Sequence, residues 1–224
     1  MTLVLLRRLF LVAMPLTLAV VLWFHPPGGS NVYEGVRDDV DAWSFVHTVF
    51  LLFIPLTAIA TYLLLSGLAS RAATVSRSAL IFFLVFYTAY EVTVGLGTGV
   101  LVEYANGLPA AEQAAVADAI QHYNGNAILG DPVSVSLILG LLGWVVAMIA
   151  AAVALRRAGA GWPATVLVGV ASLFAVHPPP IGPVALVCFA AAAALIERGR
   201  AREARPLAPG TPAAAAPAGT EPAG

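Results

Sequence analysis

Residues 78–104 read SALIFFLVFYTAYEVTVGLGTGVLVEY, an apolar run with one carboxylate, Glu91, near its middle and a second, Glu103, at its end. About 20 helical residues cross a hydrocarbon core about 30 Å thick, so this run is long enough to span a bilayer. A charge at that depth costs about 2.5–3.5 kcal/mol on insertion scales. Glu91 is therefore expected to face the interior of a helix bundle, find partners there or stay protonated. At helical spacing Leu84, Tyr87, Thr88, Glu91, Gly95, Thr98 and Val102 line one face, which places the carboxylate in a polar stripe. Gly95 and Gly99 form a small-xxx-small pair, a pattern that lets helix backbones approach closely and offers a contact for a homo- or hetero-oligomer.

Outward from this stretch the composition keeps the same character. The 224 residues are 60% hydrophobic and 10% charged, with a mean hydropathy of +0.89. Such values lie far outside the soluble globular range and point to lipid as the solvent. All 11 cationic residues are arginine, a usage typical of a high-GC bacterial genome. Cys188 is the only cysteine, which excludes an internal disulfide.

Six spans are expected, over residues 9–24, 44–68, 78–102, 133–155, 160–176 and 181–196. Arg7 and Arg8 before the first run have the form of a secretory signal, but no small-residue cleavage site follows and further apolar runs do, so the run reads as a span. Pro15 and Pro55 fall inside the first two spans, and each removes a backbone donor. His47, Ile54, Thr57 and Thr61 share one face of the second. The connection from Glu103 to Pro132 is polar, yet residues 109–123 have proline at a first helical position and strong helix formers behind it, which predicts a surface helix. Asn124-Gly125-Asn126 ends that helix and Asp131-Pro132 opens the fourth span. The fifth span, at about 15 residues, reaches only about 22 Å, and the HPPPIGP turn (177–183) separates it from an equally short sixth. Paired short segments beside proline breaks are a feature of transporter binding sites.

The fold class is thus all-α: a polytopic integral membrane protein with a six-helix domain over 1–197, one extracytoplasmic surface helix, and a disordered Ala/Pro-rich cytoplasmic tail over 198–224. Arginines at the N-terminus, at 71 and 77, at 156 and 157 and in the tail alternate with loops that hold only Arg37. By the positive-inside rule both termini are cytoplasmic, in a bacterial inner membrane. That topology accounts for the arginines without a nucleic-acid partner. GLGTG (95–99) lies within an apolar run rather than between a strand and a helix, so it is not a phosphate-cradling loop.

In this topology all four histidines, His25, His47, His122 and His177, fall on the outer side, together with Glu103, Asp41 and Asp131. Glu91 lies about 12 Å below the outer end of its helix. A candidate cavity is formed by Glu91, His47, Tyr87, Thr88 and Thr98, and a candidate metal set by His25, His47, His177 and Glu103. Imidazoles and carboxylates together suit zinc or copper, and histidine also ligates haem iron. No HExxH motif, cysteine pair or i,i+4 histidine pair sharpens the choice. Three readings stay open. One is binding or transport of a small solute, proton or metal ion around Glu91. The second is a membrane-embedded metal-dependent hydrolase or haem-type redox protein using His47, His177 and Glu91. The third is an accessory subunit of a membrane complex. Neither an enzymatic activity nor a cofactor follows from the sequence.

Overall fold

The computed structural model describes residues 2–130 and 133–203, and among these the chain is helical with no strand. Seven helices follow one another: α1 Leu3–Trp23, α2 Val32–Leu64, α3 Arg71–Asn106, α4 Ala110–Asn124, α5 Val135–Arg157, α6 Trp162–Ala175 and α7 Ile181–Glu203. All except α4 and α6 are long and apolar enough to cross a membrane, five in number among the described residues. In the long-helix set α1 packs on α7 and α2, α2 on α3, α3 on α5, α5 on α6, and α6 on α7. The six therefore close into a ring, with α6 filling its place although it is short.

Several bounds differ from expectation, each for a local reason. α1 begins at Leu3 because Thr2 accepts from the Leu5 amide, which puts Arg7 and Arg8 inside the helix. α2 begins at Val32, capped by Asn31, and a 3₁₀ turn at Arg37–Asp39 carries the acidic segment into the long helix. Arg77, expected in a loop, lies in α3 and donates to the Leu65 and Leu68 carbonyls at 2.8 and 3.0 Å, closing the end of α2. α7 continues through Glu203, past the expected start of the tail at 198. Residues 204–224 and the Asp131-Pro132 step lie outside the described residues. Both Pro15 and Pro55 are accommodated within their helices. The buried face of α2 includes His47, Ile54, Thr57 and Thr61, as the spacing predicts.

At about 1.5 Å per residue α2 and α3 are about 50 Å long and outreach α1 and α7 by several turns. Their extra turns hold α4 in a small second core of Tyr33, Val36, Trp43, Val102, Ala105 and Ile120. Tyr33 donates to Asn106 Oδ1 at 3.1 Å and Thr98 donates to Asn124 Oδ1 at 3.0 Å, which fastens this cap to both long helices.

α3 is not uniform. Two π-helical stretches, Phe83–Tyr87 and Glu91–Gly97, interrupt it. Such widened turns release backbone groups from the regular ladder and recur at functional sites. The first stretch lies against Gly140 and Gly143 of α5, where a Cβ would come within 2.9 Å of Tyr87 and 2.6 Å of Phe83. Only glycine allows that approach.

Candidate metal centre

His25 follows the last turn of α1, His47 sits within α2, His177 lies in the turn between α6 and α7, and Tyr87 and Glu91 come from α3. One ring nitrogen from each histidine lies within 4.8 Å of the other two. His177 Nε2 and His25 Nε2 are 3.3 Å apart. Glu91 adjoins this group, with Oε2 3.8 Å from His47 Nε2 and Oε1 3.7 Å from His177 Nδ1. His47 and Glu91 are nearly inaccessible, at 3% and 1% exposure.

Backbone acceptors aim the rings. His47 Nδ1 donates to the Trp43 carbonyl one turn earlier at 2.8 Å. His25 Nδ1 donates to the Pro26 carbonyl at 2.7 Å. A carbonyl only accepts, so in both rings Nδ1 carries the proton and Nε2 keeps its lone pair. His177 Nδ1 meets the Tyr87 hydroxyl at 2.7 Å. With the hydroxyl proton directed to the Ala175 carbonyl, 3.4 Å away, or to the Glu91 carboxyl, Tyr87 accepts from His177 and the third Nε2 is also left bare. Fixing one ring nitrogen through an outer hydrogen bond is how ligating histidines are oriented. Burial pushes His25 below its ordinary pKa. Burial, reinforced by His25 and His47, pushes His177 well below its own, so the rings at the helix ends are neutral at neutral pH.

Where Tyr87 instead donates to His177 Nδ1, His177 Nε2 donates to His25 Nε2 at 3.3 Å; where Tyr87 accepts, two bare nitrogens face each other there, a pair that a cation can bridge. On a tetrahedral ion with metal–nitrogen bonds of about 2.0–2.1 Å, neighbouring ligands are about 3.3–3.4 Å apart. The His25–His177 separation is close to that edge, and the three nitrogens together lie within 4.8 Å.

The surrounding packing is aromatic. Trp43 lies over His47 at 4.3 Å between ring centroids and meets His25 edge-on at 5.3 Å. Phe50 is 5.0 Å from His177. Trp43 Nε1 donates to the Gly95 carbonyl at 2.7 Å, an acceptor within the second π stretch. A Cβ on Gly95 would lie 2.2 Å from His47 Cδ2, and one on Gly99 2.6 Å from Ser44 Oγ. The glycine pair expected at an oligomer contact is thus buried against α2 of the same chain, where it makes room for His47.

Of the expected cavity residues, Glu91, His47 and Tyr87 meet. Thr88 is half-buried, and Thr98 is bound into the cap. Of the expected metal set, His25, His47 and His177 come together and Glu103 does not. It lies about 18 Å further along α3 and is exposed. A straight helix cannot return it to the centre, and Glu91 takes the carboxylate position instead. Asp41 and His122 are exposed as well. The sequence reading missed Trp43 and Phe50, although Trp43 stands one helical turn before His47, the spacing of residues that share a face.

Comparison with protein-family models, curated proteins and solved structures finds no match to this chain.

Proposed function

We propose that this chain is a six-span integral membrane protein of a bacterial inner membrane, and that it holds a transition-metal ion of the zinc or copper class at the extracytoplasmic end of its bundle. The six-span reading is supported by the closed ring, in which α6 packs between α5 and α7 as a full member. Among the described residues all arginines except Arg37 gather at the end of the ring opposite the three converging histidines, which under the positive-inside rule supports cytoplasmic termini. The single observation that carries the metal reading is the convergence of three ring nitrogens within 4.8 Å beside a buried carboxylate. Neutral imidazole suits zinc and copper. Haem fits the packing less well. The rings of Trp43 and Phe50 pack against His47 and His177, which leaves little room there for a porphyrin. The near-complete burial of His47 and Glu91 favours a resident ion over a solute in transit.

Elemental analysis of detergent-purified protein tests this. The expected result is about one zinc or copper ion per chain, lost in His47→Ala. Absence of metal, together with no thermal stabilisation on adding either ion, would overturn it.

A further inference from the structure

Resting on the metal-centre reading, we infer that the ion is hydrolytic and that its substrate is a lipid with an ester- or amide-linked acyl chain, delivered from the bilayer along a groove between α1 and α7. Two observations carry this, one at the centre and one beside it.

At the centre, three histidines supply three ligands and Glu91 stands next to them rather than within the mutual group. Three protein ligands with a fourth position left to water is the arrangement of catalytic zinc. A carboxylate beside that position is placed to act as general base. A bound ion would supply Lewis-acid activation of a water at the fourth position, and Glu91 would take the proton of that water as its oxygen forms a bond to the acyl carbonyl carbon. The tetrahedral intermediate then breaks its bond to the ester oxygen or amide nitrogen, and the leaving group takes the proton from Glu91. One water is consumed, a carboxylic acid and an alcohol or amine are released, and nothing is oxidised or reduced.

Beside the centre lies a cavity of about 640 Å³ walled by Leu16, Val20 and Phe24 of α1 and by Val184 and Val187 of α7. Val20 and Phe24 are 62% and 69% exposed. In a membrane, such side chains on the outside of the ring have only acyl chains for neighbours. The groove runs about 12 Å from Leu16 to Phe24, the residue that caps α1. Phe24 precedes His25. On the other wall Pro183 follows Gly182, where a Cβ would lie 2.1 Å from the His177 carbonyl oxygen. In the chain, His25 thus stands one residue from the groove's lining on one wall and His177 six residues from it on the other. On the α2–α3 side, past Trp43, the cap core closes over the helices. A chain lying in the groove would bring its carboxyl linkage toward the ion.

The test uses the full chain, zinc-loaded in detergent, with p-nitrophenyl palmitate and p-nitrophenyl acetate as probes. Zinc-dependent hydrolysis of the palmitate is expected. Glu91→Gln should retain zinc and lose about 100-fold or more in rate, the range a general base supplies. Val184→Trp, which fills the groove, should lower the palmitate-to-acetate rate ratio about tenfold, as when about two methylenes lose their burial. A zinc-bound protein that hydrolyses neither probe overturns the hydrolytic inference and leaves the metal centre standing. Full activity in Glu91→Gln, or an unchanged rate ratio in Val184→Trp, overturns it too. A protein that binds copper and no zinc overturns the hydrolytic inference alone, and one that binds neither ion defeats both readings.

Discussion

Two buried glutamates occupy opposite ends of the bundle, and the difference between their partners separates a clasp from a site. Glu197, 5% exposed, faces Arg7 at 2.7 Å, Arg200 at 2.8 Å and Arg8 at 3.6 Å. Arg200 also donates to the Leu64 carbonyl at 2.8 Å, so this carboxylate ties α1 and α7 to the end of α2. Guanidinium groups stay charged at any working pH and have no lone pair to offer. Glu91 is as deeply buried, but its neighbours are imidazoles and a phenol, which exchange protons and ligate metals. The same side chain is fixed in place at one end and chemically available at the other.

If the contrast holds, damage at each end should read out differently. The largest effect is expected from His177→Ala, which removes one edge of the nitrogen group and should abolish stoichiometric metal, whereas Glu197→Ala should leave the metal content of the folded fraction intact. Equal loss in both, measured by elemental analysis, would erase the distinction. Glu197→Ala should instead lower the thermal midpoint. Breaking a fully buried pair costs about 3–5 kcal/mol. Because Arg7 and Arg200 are 29% and 28% exposed, about 1–3 kcal/mol is expected here.

Glycines sharpen the same comparison. Gly95→Ala forces a methyl against His47 and should cost about 1–3 kcal/mol by overpacking, with weakened metal binding. Gly199→Ala, near Glu197, meets open space and should be neutral or slightly stabilising in the same melting assay. Tyr87→Phe deletes the outer partner of His177 and should weaken metal affinity about 10–100-fold in a competition titration. Among the changes at the histidine end, the smallest is expected from Trp43→Phe, which loses one hydrogen bond to Gly95, about 1 kcal/mol of stability.

Much of the fold was legible because apolar length and helical period are local properties. The polar stripe of α3 put Tyr87, Glu91 and Gly95 on one face, and all three are buried. Helix ends were less legible. Arg7, Arg8 and Arg77 read as loop markers because a sequence shows their charge but not the carboxylate or carbonyls that draw them into helices. The candidate centre was half legible. His25, His47 and His177 stood out as polar groups at the ends or within apolar runs, yet Glu103 was equally eligible by type. Only the rise of α3 separates it from Glu91.

By itself the sequence determined an all-helical chain with several runs apolar enough for a bilayer, one end marked by arginine and one expensive carboxylate at mid-run. Those outcomes follow from the transfer energies of single side chains and the 3.6-residue period. The tertiary structure decided that residues 25, 47 and 177 share a centre beside Glu91. It also gave Gly95 an intramolecular task and Glu197 three arginines. Such outcomes depend on which helices become neighbours when the ring closes, and that is set by packing among segments far apart in the chain.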